Sequence, residues 1–220
     1  RILNYLNHKE LNNLIKEEII FAFEKFINGK EFLLSNLIRY ENFDSFQLND
    51  NKINFGAIVH ARMSSTRLPG KAMLKINQEP VISKILSRVS SKFGKDNTFL
   101  STSLNKADDE MTKFIEKKGF KVYRGEEDNL VQRFIDIAVD QNLTHIVRIT
   151  GDDLFRSLDS IEVMLKQMLK NNCDYIFSDD LIYGCNSEIM NLESLLFIKE
   201  FAFDINQTHA LTWYLDRKDV

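Results

Sequence analysis

Cysteine is scarce: the chain of 220 residues has two, Cys173 and Cys185, with neither a CxxC spacing nor nearby histidines. This argues against a thiolate metal site and fits a reduced, cytoplasmic setting. Long apolar runs are also missing. The strongest N-terminal stretch, residues 19–23, is hemmed in by Glu17, Glu18, Glu24 and Lys25, which argues against export and membrane insertion. Nor is there an excess of one charge. With 29 Lys and Arg against 32 Asp and Glu, the formal charge is −3, so nucleic acid gains no general attraction and any basic site must be local. No internal repeat or low-complexity tract appears beyond an Asn/Lys/Ile bias. The 44% apolar content and the length suit a soluble globular protein with one sizeable domain and an appendage.

One local basic site is present. The segment Ala61-Arg62-Met63-Ser64-Ser65-Thr66-Arg67-Leu68-Pro69-Gly70-Lys71 follows an apolar run at 55–60 that reads as a buried strand. Three cations, several small hydroxyls and a glycine thus leave a strand end, the place where open α/β sheets bind ligands. Backbone N–H groups and hydroxyls there can reach phosphate oxygens while Arg62, Arg67 and Lys71 balance their charge. It is not a Walker A loop, because the second glycine and the Gly-Lys-Ser/Thr ending are absent.

Residues 1–50 read differently from 51–220. Leu11, Ile15, Ile19, Phe23 and Phe26 recur at helical spacing, Gly29 can end that helix, and Phe32, Leu33, Leu37 and Ile38 predict a second, so a helical hairpin is expected. Its apolar stripe fits packing against an adjoining domain or subunit better than catalysis. A polar linker is expected over 42–54. From residue 55 onward, short apolar runs alternate with helical patterns, as in parallel strands with crossover helices. Strands are expected at 55–60, 98–101, 121–123, 144–150 and 175–178. Helical faces are expected from Val81, Ile82, Ile85, Leu86 and Val89, from Met111, Phe114 and Ile115 up to Gly119, and from Leu130, Phe134 and Ile137. This spacing predicts a Rossmann-like three-layer α/β/α domain. A start at Arg1 rather than methionine points to a piece of a longer polypeptide.

The eleven-residue segment resembles the signature A-R-x-x-S-x-R-L-P-G-K of the sugar-acid cytidylyltransferases, most closely their spore-coat polysaccharide biosynthesis branch, relatives of the enzymes that activate Kdo and sialic acids. Further matches follow in the family's order: Ser101-Thr102-Ser103 with Asp108-Asp109, Val122-Tyr123-Arg124-Gly125 with Glu127-Asp128 and Arg133, and Val147 to Asp152. Roughly residues 54–216 are covered. The resemblance implies the nucleotide-diphospho-sugar transferase (A-type glycosyltransferase) version of the fold, and transfer of CMP from CTP to a sugar acid with release of pyrophosphate, for surface polysaccharide or glycan synthesis. It also implies a homodimer, and a C-terminal Val-Asp-x-Pro-Glu-Asp-like segment beyond Val220.

By resemblance, Arg62, Lys71 and Asp152 carry the chemistry. Arg62 and Lys71 hold the triphosphate with Ser65 and Arg67, the backbone of Ala61 to Met63 lies near base or ribose, and Asp152 binds Mg²⁺ with Asp153 as an additional candidate. Ser101, Thr102 and Ser103 end the second strand near the expected crevice, so a cytidine contact is expected from one of them; by resemblance Arg124, Asp128, Glu188 and His209 serve the substrate side. Plainer readings stand beside these. Arg67 and Lys71 also fit a solvated basic turn, Asp152 and Asp153 a helix cap, and Ser101 to Ser103 a simple turn. His60 and His209 fit buried structural histidines, and Arg148 a paired cation on a central strand. Spacing favours Arg133 pairing with Asp128 or Asp136 on a helix surface.

Several residues depart from the family pattern. Ser64 replaces a glycine, which strains the loop if that position needs positive φ. Asp153 to Leu158 replaces Cys-Pro-Leu-Ile-Asp-Pro, and Asn186 replaces an aspartate. Such losses would also suit a non-catalytic nucleotide-binding or assembly module of the same fold.

Overall fold

The computed structural model describes residues 53–65, 67–178 and 186–201. The expected hairpin at 1–50 and His209 lie outside them. A central six-stranded sheet is built from β1 (Phe55–His60), β4 (Thr98–Ser103), β5 (Lys121–Gly125), β6 (His145–Thr150), β7 (Tyr175–Phe177) and β8 (Glu188–Asn191). Its strand order is β5-β4-β1-β6-β8-β7. β5, β4, β1 and β6 run parallel, whereas β8 pairs antiparallel with both β6 and β7, so the sheet is mixed. A separate two-residue hairpin, β2 (Lys75–Ile76) and β3 (Glu79–Pro80), precedes α1 (Val81–Phe93). Asn77 and Gln78 make its turn at φ 51° and 67°, the doubly left-handed geometry of short hairpins.

Alternation along the strands assigns the two faces. Ala57, Val59, Leu100, Val147 and Ile149 point into one core, packed by α1, α2 (Asp109–Lys117) and α4 (Leu158–Asn171). Ile58, Phe99 and Ile146 point into the other, packed by α3 (Leu130–Asp140) and α5 (Leu192–Phe201). Both faces are thus covered, which is why the central strand β1 reads as a continuous apolar run rather than as an alternating one. The three-layer expectation holds. Asn54 was expected to end a linker but is already anchored: its side chain donates to Gln141 O and Asn142 O at the end of α3.

What positions the site is the chain reversal around β1. β1 lies between β4 and β6, and its C-terminal edge sits where the chain departs to either side, the place where such sheets form a crevice. The β1–β6 ladder runs from Phe55↔His145 to His60↔Thr150 and continues as Gly151 N–H donating to His60 O at 2.9 Å. A Cβ on Gly151 would stand 2.6 Å from Ala61 Cβ and 3.0 Å from His60 O, so glycine permits this approach. Gly151→Ala should cost about 1–3 kcal/mol in urea denaturation, and Ala61→Gly in the same chain should return part of the loss; strict additivity would contradict this contact.

Candidate active site

The cleft at this edge has a volume of about 430 Å³. Five cationic side chains line it (Arg62, Arg67, Lys71, Arg133 and Arg148) against three carboxylates, those of Glu127, Asp128 and Asp152. Ala61 and Ser65 of the loop, His60 at the end of β1 and Gly151 complete the part that concerns chemistry. The loop cations and Asp152, separated by some 80 positions in sequence, therefore share one cavity.

The loop is held from both sides of Met63. Gly70 N–H donates to Met63 O at 2.9 Å and closes the turn, with Gly70 left-handed at φ 73°. Met63 N–H donates to Asp108 Oδ1 at 2.7 Å. Asp108 is 1% exposed, and its Oδ2 accepts from Thr102 Oγ1 at 2.9 Å, from Ser103 N–H at 3.0 Å and from the Ser103 hydroxyl. One buried carboxylate thus ties the loop to the end of β4. Ser64 is not in the left-handed region, so its replacement of a family glycine strains nothing.

Both principal loop cations meet carboxylates. Lys71 Nζ pairs with Asp152 Oδ2 across the cleft. Arg62 Nη1 donates to Glu127 Oε1 at 3.0 Å and lies 3.7 Å from Asp128 Oδ1. Glu127 also accepts from the Ser64 hydroxyl and the Asn105 amide, so it gathers the rim. Arg67 is exposed at the mouth.

Asp152 is 41% exposed on its side chain and does not cap a helix; Ser157 caps α4 by accepting from Ser160 N–H at 3.3 Å. Asp153 instead pairs with buried Arg156, whose Nη1 donates to Arg148 O at 3.2 Å, and Arg88 Nη1 donates to Leu154 O at 3.0 Å. These contacts fix the segment that lacks the family prolines. Among the described residues no three acidic, histidine or cysteine groups gather as a metal cage. Asp152, a half-exposed carboxylate beside the loop cations, fits an ion that takes most of its ligands from a bound anion and water, as Mg²⁺ does, and not a protein-enclosed metal.

Other expected residues face elsewhere. Arg124 pairs with Asp109 at 2.8 Å and donates to Ser103 O at 2.8 Å and Asn105 O at 2.9 Å, outside the cleft lining. Thr102 is occupied by Asp108, and Ser101 Oγ is enclosed without a partner among the described residues. Glu188 pairs with Arg148 at 2.7 Å and bears on the cleft through that arginine. Arg133 corrects the spacing argument: it is 6% exposed and lines the cleft rather than pairing on a helix surface. Glu127 and Asp108 were legible only as members of motifs, and nothing in the sequence marks their tertiary partners.

His60 packs edge-on against Phe134, ring centroids 5.9 Å apart, and its Nε2 is enclosed with no partner among the described residues. Burial, then the charges of Arg148 and Arg133, hold its pKa well below the ordinary value, so the imidazole is neutral at physiological pH.

A profile described as cytidylyltransferase matches residues 56–214. The chain is 31% identical over 158 residues to the spore coat polysaccharide biosynthesis protein SpsF of Bacillus subtilis, a match covering 70% of this chain and 63% of that protein. It is 30% identical over 138 residues to an uncharacterized protein of Methanocaldococcus jannaschii, covering 63% of this chain and 57% of the relative. The chain therefore spans less than two thirds of the length of these two curated relatives. Among solved structures, a cytidylyltransferase from Leptospira borgpetersenii serovar Hardjo-bovis superposes with a TM-score of 0.70 at 26% identity, over 76% of this chain and 72% of that one. CMP:2-keto-3-deoxy-manno-octonic acid synthetase, determined with CTP, superposes with a TM-score of 0.58 at 13% identity, over 74% and 84% of the two chains, a likeness of fold.

Asp108→Asn places an NH₂ among the donors that converge on the carboxylate and should lower stability by about 1–3 kcal/mol in urea titration; an unchanged midpoint would contradict the clamp. His60 makes stability pH-dependent. The unfolded chain binds its proton more readily than the folded one, so the contribution present above about pH 6.5 is lost as pH falls below it. His145, whose pKa burial also lowers, acts in the same direction. His60→Gln should flatten this fall without abolishing it, and an unaltered profile would remove His60 from the account.

Proposed function

We propose that this chain, which belongs to the cytidylyltransferase family, carries the domain that transfers a cytidylyl group from CTP to the hydroxyl of a sugar acid. The observation that supports this reading is the shared cleft in which Arg62, Arg67 and Lys71 face Asp152. In the reaction the acceptor oxygen bonds to the α-phosphorus, the bond from that phosphorus to the bridging oxygen breaks, pyrophosphate departs, and the hydroxyl proton is released. Such a displacement depends on neutralised charge and aligned reactants more than on a covalent intermediate.

In this reading the triphosphate replaces the internal partners of the loop cations. Lys71 leaves Asp152 for a phosphate, and Arg62 leaves Glu127. Ser65 adds a hydroxyl and Arg67 closes from the mouth. Asp152 would hold Mg²⁺, which supplies charge neutralisation to the phosphates when bound. The clamp through Asp108 keeps the loop in place while these partners exchange. A cytoplasmic location, where CTP is made, and a role in surface polysaccharide synthesis belong to the same proposal.

A second reading is a nucleotide-binding module without turnover, favoured by the engagement of Asp153 with Arg156 and by Asn186 at an expected carboxylate position. A pyrophosphate-release assay with CTP, Mg²⁺ and a panel of sugar acids separates the two. Turnover is expected, and Lys71→Ala and Asp152→Ala should each reduce it by at least about 10²-fold while the circular dichroism melt persists. CTP binding by calorimetry with no turnover across the panel would select the module, and competition among the four nucleoside triphosphates tests the base.

A further inference from the structure

The cleft has a second polar region that the loop cations do not account for. Ile58 pairs in register with Arg148, and Ile58 points into the core packed by α3. His60, two residues further along β1, lies on this same face and packs against Phe134 of α3. Arg133 precedes Phe134 and lines the same cavity. Three nitrogen-bearing side chains therefore converge from β1, β6 and α3 on one side of the sheet edge.

Arg133 is the unusual member. The residue is 6% exposed, and a long hydrogen bond from Nη2 to Glu127 O at 3.4 Å satisfies its guanidinium weakly. Its Nε and Nη1 are enclosed and have no partner among the described residues; the same is true of Arg148 Nε and His60 Nε2. Burial and then Arg62 lower its pKa to about 10, against the opposing pull of Asp108, Glu127 and Asp128, so it remains cationic at neutral pH. These carboxylates balance charge without meeting Nε or Nη1, and Glu127 is taken up by Arg62, Ser64 and Asn105. A buried cation with unused donors is costly unless something anionic fills the space beside it. The sequence also makes room for it, because a Cβ on Gly125 would lie 2.6 Å from Arg133 Cγ.

We propose that Arg133, with Arg148 and His60, forms a second oxyanion subsite on the α3 side of the cleft, separate from the phosphate cradle of Arg62 and Lys71. The neutral imidazole gives a hydrogen bond without adding charge, and the guanidinium gives the charge and direction that carboxylates and phosphates match. The occupant is an oxyanion, supplied by a carboxylate on the acceptor or by the phosphate nearest the nucleoside. The identity of these sources rests on the cytidylyl-transfer reading; the anion site itself rests on Arg133.

The test is the arginine Nε–H signal of Arg133 in the full chain, followed by nuclear magnetic resonance on addition of inorganic phosphate, CMP or 2-keto-3-deoxy-manno-octonic acid. Binding should shift this signal and slow its exchange with water by about tenfold or more. Arg133→Gln should weaken binding of the responding probe by about 10- to 100-fold, the loss expected for a charged hydrogen bond. Arg133→Lys should recover part of that affinity, and Gly125→Ala, which pushes the Arg133 side chain aside, should weaken binding while keeping its charge. A response to CMP but not to the sugar acid assigns the nucleotide phosphate; the reverse assigns the carboxylate. A signal indifferent to all three probes, or an Arg133→Gln protein that binds as the parent does, overturns the subsite. Failure of the parent to bind CTP in calorimetry would overturn the transfer reading alone, because the response to inorganic phosphate still judges Arg133.

Discussion

The pairing of β1 with β6 is the constraint on which the rest of the molecule depends. Two strands far apart in sequence lie in register to their last residue, and their C-terminal ends pass so closely that a side chain on Gly151 would meet Ala61. The loop carrying Arg62 and Lys71 leaves one of these ends and Asp152 leaves the other. Groups of opposite charge are thereby brought to one crevice by a backbone ladder rather than by their own attraction. An exposed ion pair contributes too little to arrange two loops; a six-residue buried ladder with apolar cores on either side is sufficient.

A second tier of support fixes directions. Asp108 takes the N–H of Met63 together with three donors from the end of β4, so the loop cannot swing away from the sheet without leaving a buried carboxylate underused. Glu127 does similar work at the rim through Arg62, Ser64 and Asn105. The loop thus has little freedom left to lose when a ligand arrives, which is the physical content of preorganisation.

Much of this was legible in the chain before any coordinates. β1 is a continuous apolar run with the expected bounds, β4 and β5 extend two residues beyond theirs, and the loop is a contiguous motif between a strand and a turn, so local pattern and fold agree there. The mixed part of the sheet was not legible: β8 is four residues long, and its antiparallel partners are chosen by the tertiary fold. α4 is absent from the expected elements although Leu158, Ile161, Leu165 and Met168 keep helical spacing behind the Ser157 cap. Arg133 was misread for a clear reason. Spacing of three or four residues identifies helix-surface partners only if that face meets solvent, and the first turn of α3 faces the cleft instead. Asp108 illustrates the complementary limit, since a carboxylate's tertiary partners leave no periodic trace.

The internal pairing of Lys71 with Asp152 and of Arg62 with Glu127 has a consequence for selectivity. An empty basic groove would act as a sink for any passing polyanion. At Lys71 and Arg62 an incoming anion would have to displace carboxylates already in place, so entry there is an ion exchange whose gain is the difference between two similar attractions. Only a visitor that engages several exchange points together, and gives the released carboxylates something to hold, comes out ahead. The groove is thus guarded by its own counterions.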